Sequence, residues 1–127
     1  MVTSAGFVQT APLNNQLTTT SVTTGDGPES VAAGDFNRDG FIDLVVANTA
    51  TNNVSLLVNN GNGAYGAPIQ LPTASYPSGL VVADFNRDGW DDLAVSHLYA
   101  TEVSVFLNTQ NVATPLAART TVALPGG

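Results

Sequence analysis

The sequence predicts an all-β chain built from repeated four-stranded antiparallel units, and three observations carry that prediction. A ten-residue stretch, Asp35-Phe36-Asn37-Arg38-Asp39-Gly40-Phe41-Ile42-Asp43-Leu44, recurs as Asp84-Phe85-Asn86-Arg87-Asp88-Gly89-Trp90-Asp91-Asp92-Leu93, starting 49 residues later. Each copy runs directly into a short β-prone stretch, Leu44-Val45-Val46-Ala47 or Leu93-Ala94-Val95-Ser96. The remaining β-branched segments follow both copies in the same order, separated by Gly, Asn and Pro turns.

The elements follow in chain order. Residues 1–24 are rich in Thr, Asn and Ser, and Gly25-Asp26-Gly27-Pro28 is a turn signal. Ser30 to Gly34 leads into the first acidic loop. Leu44 to Ala47 is too short for a buried helix and has no polar side, so it reads as a strand covered on both faces. Val54 to Val58 is the next strand. Asn59-Asn60-Gly61-Asn62-Gly63 turns the chain, since Asn and Gly tolerate positive φ. Pro68 to Leu71 is an edge-like fourth strand, where proline is tolerated. The second unit repeats the order with Gly79 to Ala83, Leu93 to Ser96, Val103 to Leu107 and Thr121 to Leu124, the last after a connection about four residues longer. Carrying the register backwards sets Ala5 to Gln9 and Thr20 to Val22 against the third and fourth strands of a preceding unit.

Four short strands in ~40–50 residues is the arithmetic of a β-propeller blade. The expected organisation is therefore residues 1–26 as outer strands of a preceding blade or a linker, a blade over 27–75 and a blade over 76–127. Two blades cannot close a ring of the roughly four to eight that propellers use. An unclosed piece leaves apolar sheet faces in water. The blades are thus expected to be completed by oligomerisation, or by the rest of a longer propeller; three copies give six blades and four give eight.

Composition narrows the partners. The 127 residues suit one modest domain, and the hydrophobic content of 43% argues against disorder. The only basic residues are Arg38, Arg87 and Arg119, so no basic patch exists to meet nucleic acid. No apolar run approaches the ~20 residues of a membrane helix. Six of the ten acids stand at positions 1, 5 and 9 of the two loops, which concentrates the formal charge of −7; two bound divalent cations would bring it to −7 + 4 = −3. Cysteine is absent, which removes disulfide and thiolate chemistry.

The loops carry the chemistry. Loop positions 1, 3, 5 and 9 hold Asp35, Asn37, Asp39 and Asp43, with the Phe41 carbonyl available at position 7; the second loop offers Asp84, Asn86, Asp88, Asp92 and the Trp90 carbonyl. Three carboxylates within nine residues repel one another strongly without a cation. Oxygen donors without His or Cys select Ca²⁺ over zinc or copper, and Mg²⁺ prefers to keep its waters. Gly40 and Gly89 permit the sharp turn at position 6. An EF-hand is excluded, because its twelfth position should be a bidentate Glu and here is Val46 or Val95. These loops stand between strands.

The pattern Ala-x-Asp-Phe-Asn-x-Asp-Gly-x-x-Asp-Leu, as it stands at residues 33–44, followed by an apolar strand and later by Asn-Asn-Gly-Asn-Gly-Ala-Tyr-Gly, resembles the FG-GAP/VCBS repeat of integrin-α-like β-propellers. The resemblance covers residues 27–108. It implies that each loop joins the first and second strands of a blade and binds one Ca²⁺, two per chain. It also implies a secreted or cell-surface home, with any export signal outside this chain.

Other residues invite sharper readings. Phe36 and Phe85 are expected to plug the core beside the loops, and Arg38 and Arg87 to face solvent or pair with an acid. Trp90 could stack on a sugar, and the tyrosines lie near turns. His97, the only histidine, has no recognisable catalytic partner. The sequence therefore reads as a non-enzymatic, calcium-binding repeat module for binding or assembly. The alternative is an integrin-like propeller lectin that holds carbohydrate between blades.

Overall fold

The computed structural model of the chain describes residues 21–125. Its strands are β1 (Pro28–Gly34), β2 (Asp43–Asn48), β3 (Asn53–Leu57), β4 (Ile69–Pro72), β5 (Pro77–Ala83), β6 (Asp92–His97), β7 (Glu102–Asn108) and β8 (Leu116–Ala123). They form two four-stranded antiparallel sheets, β1-β2-β3-β4 and β5-β6-β7-β8, each a simple meander. There is no helix among the described residues.

Local chemistry explains the repeat. Pro28 and Pro77 each open the first strand of a sheet, where a missing N–H costs least. Both sheets shift register at the same place, Pro28/Ser30 and Pro77/Gly79. Asn52 takes a φ of 55° in the β2–β3 turn, and its side chain accepts from the Tyr76 N–H. Gly61 and Gly63 take positive φ in the long β3–β4 connection, which the Asn59–Tyr65 bridge narrows.

The core lies between the sheets. Alternation along the strands places Ala32, Val45, Val54, Leu56 and Leu71 on one face of the first sheet. They form one cluster with Leu80, Val82, Leu93, Val95, Phe106 and Leu116 of the second. Strand β5 packs across β1 and β2. Fully burying a side chain of this size contributes roughly 1.5–3 kcal/mol. Gly34 marks the closest approach, since a Cβ there would stand 2.8 Å from Val82 Cγ1. The second strand of the first sheet is covered on both sides, as its composition predicts: Val45, Val46 and Ala47 are all buried.

Three expectations change. The last strand starts at Leu116 rather than Thr121, and its connection, 109–115, is shorter than the 58–68 connection of the first sheet, not longer. Two backbone bonds close it tightly, Thr109 N–H to the Pro115 carbonyl (2.8 Å) and Thr114 N–H to the Asn111 carbonyl (3.1 Å). Phe36 plugs the core at 0% exposure, whereas Phe85 is 46% exposed. The second sheet covers Phe36, and among the described residues no further sheet covers Phe85. Of the preceding-blade strands, Ala5 to Gln9 and Thr20 lie outside the described residues, and Ser21 and Val22 carry no strand.

Candidate metal centre

Each acidic loop joins the first strand of its sheet to the second, from Gly34 to Asp43 and from Ala83 to Asp92. The position-1 carboxylate organises the turn. Asp35 accepts from the N–H groups of Asp39 (3.1 Å) and Gly40 (2.9 Å), and Asp84 accepts from Asp88 (3.0 Å) and Gly89 (2.7 Å). The position-5 carboxylate accepts from position 7, Phe41 N–H to Asp39 and Trp90 N–H to Asp88. Asn37 accepts from the Asp39 N–H and donates its amide to the Asp39 carboxylate. Positive φ at position 6 (88° at Gly40, 86° at Gly89) and at Arg38 and Arg87 makes this tight winding possible.

The position-9 carboxylate is set deeper. Asp43 is fully buried and accepts from the N–H groups of Phe36 (3.0 Å) and Asn59 (2.9 Å). Asp92 repeats this with Phe85 (2.8 Å) and Asn108 (2.7 Å). Position 9 thus pins its own loop to the chain at the end of the third strand of its sheet, at Asn59 just past β3 and at Asn108, the last residue of β7. Burial pushes the Asp43 carboxyl above its ordinary value, and the charges of Asp39 and Asp35 push the same way against its two N–H donors. Asp88, by contrast, is held low, first by the Gln110 amide at 3.1 Å and then by Trp90 N–H and Asn86.

Positions 1, 3 and 5 are therefore linked by hydrogen bonds in the first loop, and position 9 joins the loop through the position-2 N–H. The side chains are turned onto backbone donors, and among the described residues no three carboxylate or imidazole groups gather as a ready metal cluster. The oxygens keep capacity, however. A carboxylate offers roughly four lone-pair sites, and Asp35 and Asp43 each use two on backbone N–H groups. The donors are all oxygen, and Asp43 is a buried carboxyl with no cation partnered to it among the described residues.

The sequence reading missed the residues that tie the two loops together. Asp91 accepts from the Asp35 N–H at 2.9 Å, and the Asn108 amide donates to the Phe36 carbonyl (2.8 Å) and the Asp91 carbonyl (2.9 Å). The available signal was the Asp91-Asp92 doublet. Only Asp92 is required at position 9, and the first loop has Ile42 where Asp91 stands.

Two other candidates take structural places. His97 is buried; its Nε2 lies 2.8 Å from Ser104 Oγ and its Nδ1 lies 3.1 Å from the Ser75 carbonyl. A carbonyl can only accept, so Nδ1 carries the proton and Nε2 accepts from the serine. The first sheet makes the same contact with Asn48 and Ser55, at 2.9 Å, so the Ser–His pair is a variant of a strand-to-strand bond. Arg38 is exposed, as expected, and its guanidinium also lies 5.3 Å from the centre of the Trp90 ring, covering one face of the only tryptophan.

Residues 35–95 match the family model described as FG-GAP-like repeat, a span that includes both acidic loops. No curated protein matches the chain. With the loops between first and second strands and two stacked four-stranded meanders around them, the chain carries an FG-GAP-like repeat set in sheets built as propeller blades.

Proposed function

We propose that this chain is a calcium-binding, non-catalytic β-propeller repeat module whose blades assemble into a larger closed array. One observation carries the reading: both loops wind the same oxygen-bearing side chains around the same backbone turn, with a buried position-9 carboxylate beneath. Asp35, Asn37, Asp39, Asp43 and the Phe41 carbonyl would hold one Ca²⁺, and Asp84, Asn86, Asp88, Asp92 and the Trp90 carbonyl the other. The ion would supply the positive charge that the crowded carboxylates lack. The protein's own part is to order the loop through the N–H bonds and to pin it to the sheet through position 9. The ion's role in this reading is to staple the first two strands of each blade.

Differential scanning calorimetry with isothermal titration tests this. Calcium should raise the melting temperature and bind two ions per chain, because a ligand held only by the native state stabilises it. Asp35→Ala and Asp84→Ala should each reduce the count to one. An unchanged melting curve in EDTA and calcium would refute the assignment.

A further inference from the structure

The two acidic loops order their own side chains alike but are gripped differently from outside. In both, position 1 accepts from the N–H groups of positions 5 and 6, and position 9 accepts from the position-2 N–H. The position-5 carboxylate meets one side-chain amide in each, Asn37 at 3.0 Å in the first loop and Gln110 at 3.1 Å in the second. The difference lies in the backbone of positions 1 and 2. In the first loop the Asp35 N–H donates to Asp91 Oδ2, and the Phe36 carbonyl accepts from the Asn108 amide, both across the sheet boundary. The equivalent grip on Asp84 and Phe85 would come from a sheet following the second, and none follows among the described residues. Shelter differs to match: Asp35 and Asn37 are half-buried, whereas Asp84 and Asn86 are exposed.

We infer that Asp91 is a positioning residue for the first loop, and that this loop is the tighter of the two calcium sites. The inference rests on the calcium reading above and adds an order to it. Neither outside bond occupies a donor oxygen. Asp91 takes an N–H, which a cation cannot use, and Asn108 takes the position-2 carbonyl, which lies outside the donor set. What the two bonds do is fix the segment from which the Asp35 carboxylate projects. Their own anchorage is firm, since the Asn108 N–H donates to Asp92 at 2.7 Å and its amide also donates to the Asp91 carbonyl at 2.9 Å. A loop already held in place loses less freedom when an ion orders it, so the entropic cost of binding falls. Asp91 also sets a negative charge beside the first loop, which attracts a cation there. The half-buried setting acts in the same direction, because partly buried charges are screened less than exposed ones.

Calorimetric titration of the intact protein with Ca²⁺ should resolve two sites whose affinities differ roughly tenfold. Asp84→Ala leaves the first loop to be read alone and Asp35→Ala the second, so each affinity is assigned to its loop. Adding Asp91→Ala to the Asp84→Ala chain should weaken binding roughly tenfold. Added to the Asp35→Ala chain, the same change should shift the second-loop affinity far less. Asp91→Asn keeps an acceptor oxygen without the charge, so its loss should be smaller and again confined to the first loop. It carries the test alone should Asp91→Ala fail to fold by circular dichroism. Two sites of equal affinity, a tighter second loop, or the same loss at both loops would overturn the proposal. Two ions bound equally well would leave the calcium reading standing while this one falls, and no calcium uptake at all would bring down both.

Discussion

The backbone N–H of Asp35 donates to the carboxylate of Asp91 across the boundary between the two sheets, at 2.9 Å. Asp35 is position 1 of the first loop and Asp91 is position 8 of the second, 56 residues apart. The first loop is thus positioned by its neighbour as well as by its own turn. The Asn108 amide closes the same junction by bonding the Phe36 and Asp91 carbonyls.

Removing that acceptor should weaken the junction. A hydrogen bond to a charged group contributes roughly 1.5–3 kcal/mol, and Asp35 is only partly buried, so Asp91→Ala should cost about 1–2 kcal/mol. Asp91→Asn keeps one acceptor oxygen and should cost less. Urea unfolding of both variants checks the order; equal losses would mean that the carboxylate acts through something other than the Asp35 N–H.

The Gly34–Val82 approach gives a second expectation. Gly34→Ala places a methyl 2.8 Å from Val82 Cγ1 and should cost about 1–3 kcal/mol as overpacking. Val82→Ala opens a cavity of its own. The double variant should lose less than the sum of the two, because each change removes part of the other's penalty. A urea double-mutant cycle measures the coupling, and strict additivity would show that the sheets yield elsewhere.

Phe36 and Phe106 are the largest side chains in the shared core. Phe36→Ala should destabilise by about 3–5 kcal/mol, since it removes a fully buried ring and leaves a cavity between sheets. A loss below ~1 kcal/mol, read by chemical denaturation, would mean that the sheets do not depend on one another for their packing.

Much of this architecture was legible in the sequence, because a strict repeat lets two weak signals confirm each other. The loops, the strands that flank them and the double-faced burial of Val45 to Ala47 all follow from short-range pattern. What was hidden is long-range. Asp91 reads as one more acid beside Asp92 until the first sheet brings the Asp35 N–H to it. Phe36 and Phe85 sit in identical local sequence, yet one is buried and the other exposed, because burial depends on whether a sheet follows. The early start of β8 was missed for a similar reason: Asn108 pairs with Leu116 through a register shift that strand propensity cannot reveal.

His97 makes stability depend on pH with a definite sign. Burial is the main cause that lowers its pKa below the ordinary 6.5, with Arg119 pushing the same way against the Ser75 carbonyl and Glu102. The unfolded chain therefore binds the proton more readily than the folded one. The contribution of neutral His97 is fully present above the unfolded pKa of about 6.5 and is lost as pH falls through that value towards the lower folded pKa. Protonation would also put a second N–H against Ser104, which already accepts from Arg119 at 3.2 Å. His97→Asn installs the pair that the first sheet uses between Asn48 and Ser55, and it carries no titratable group. Urea midpoints for wild type should fall between pH 7.5 and pH 5.5 by more than those of His97→Asn. Parallel losses in the two proteins would assign the pH dependence to the carboxylates instead.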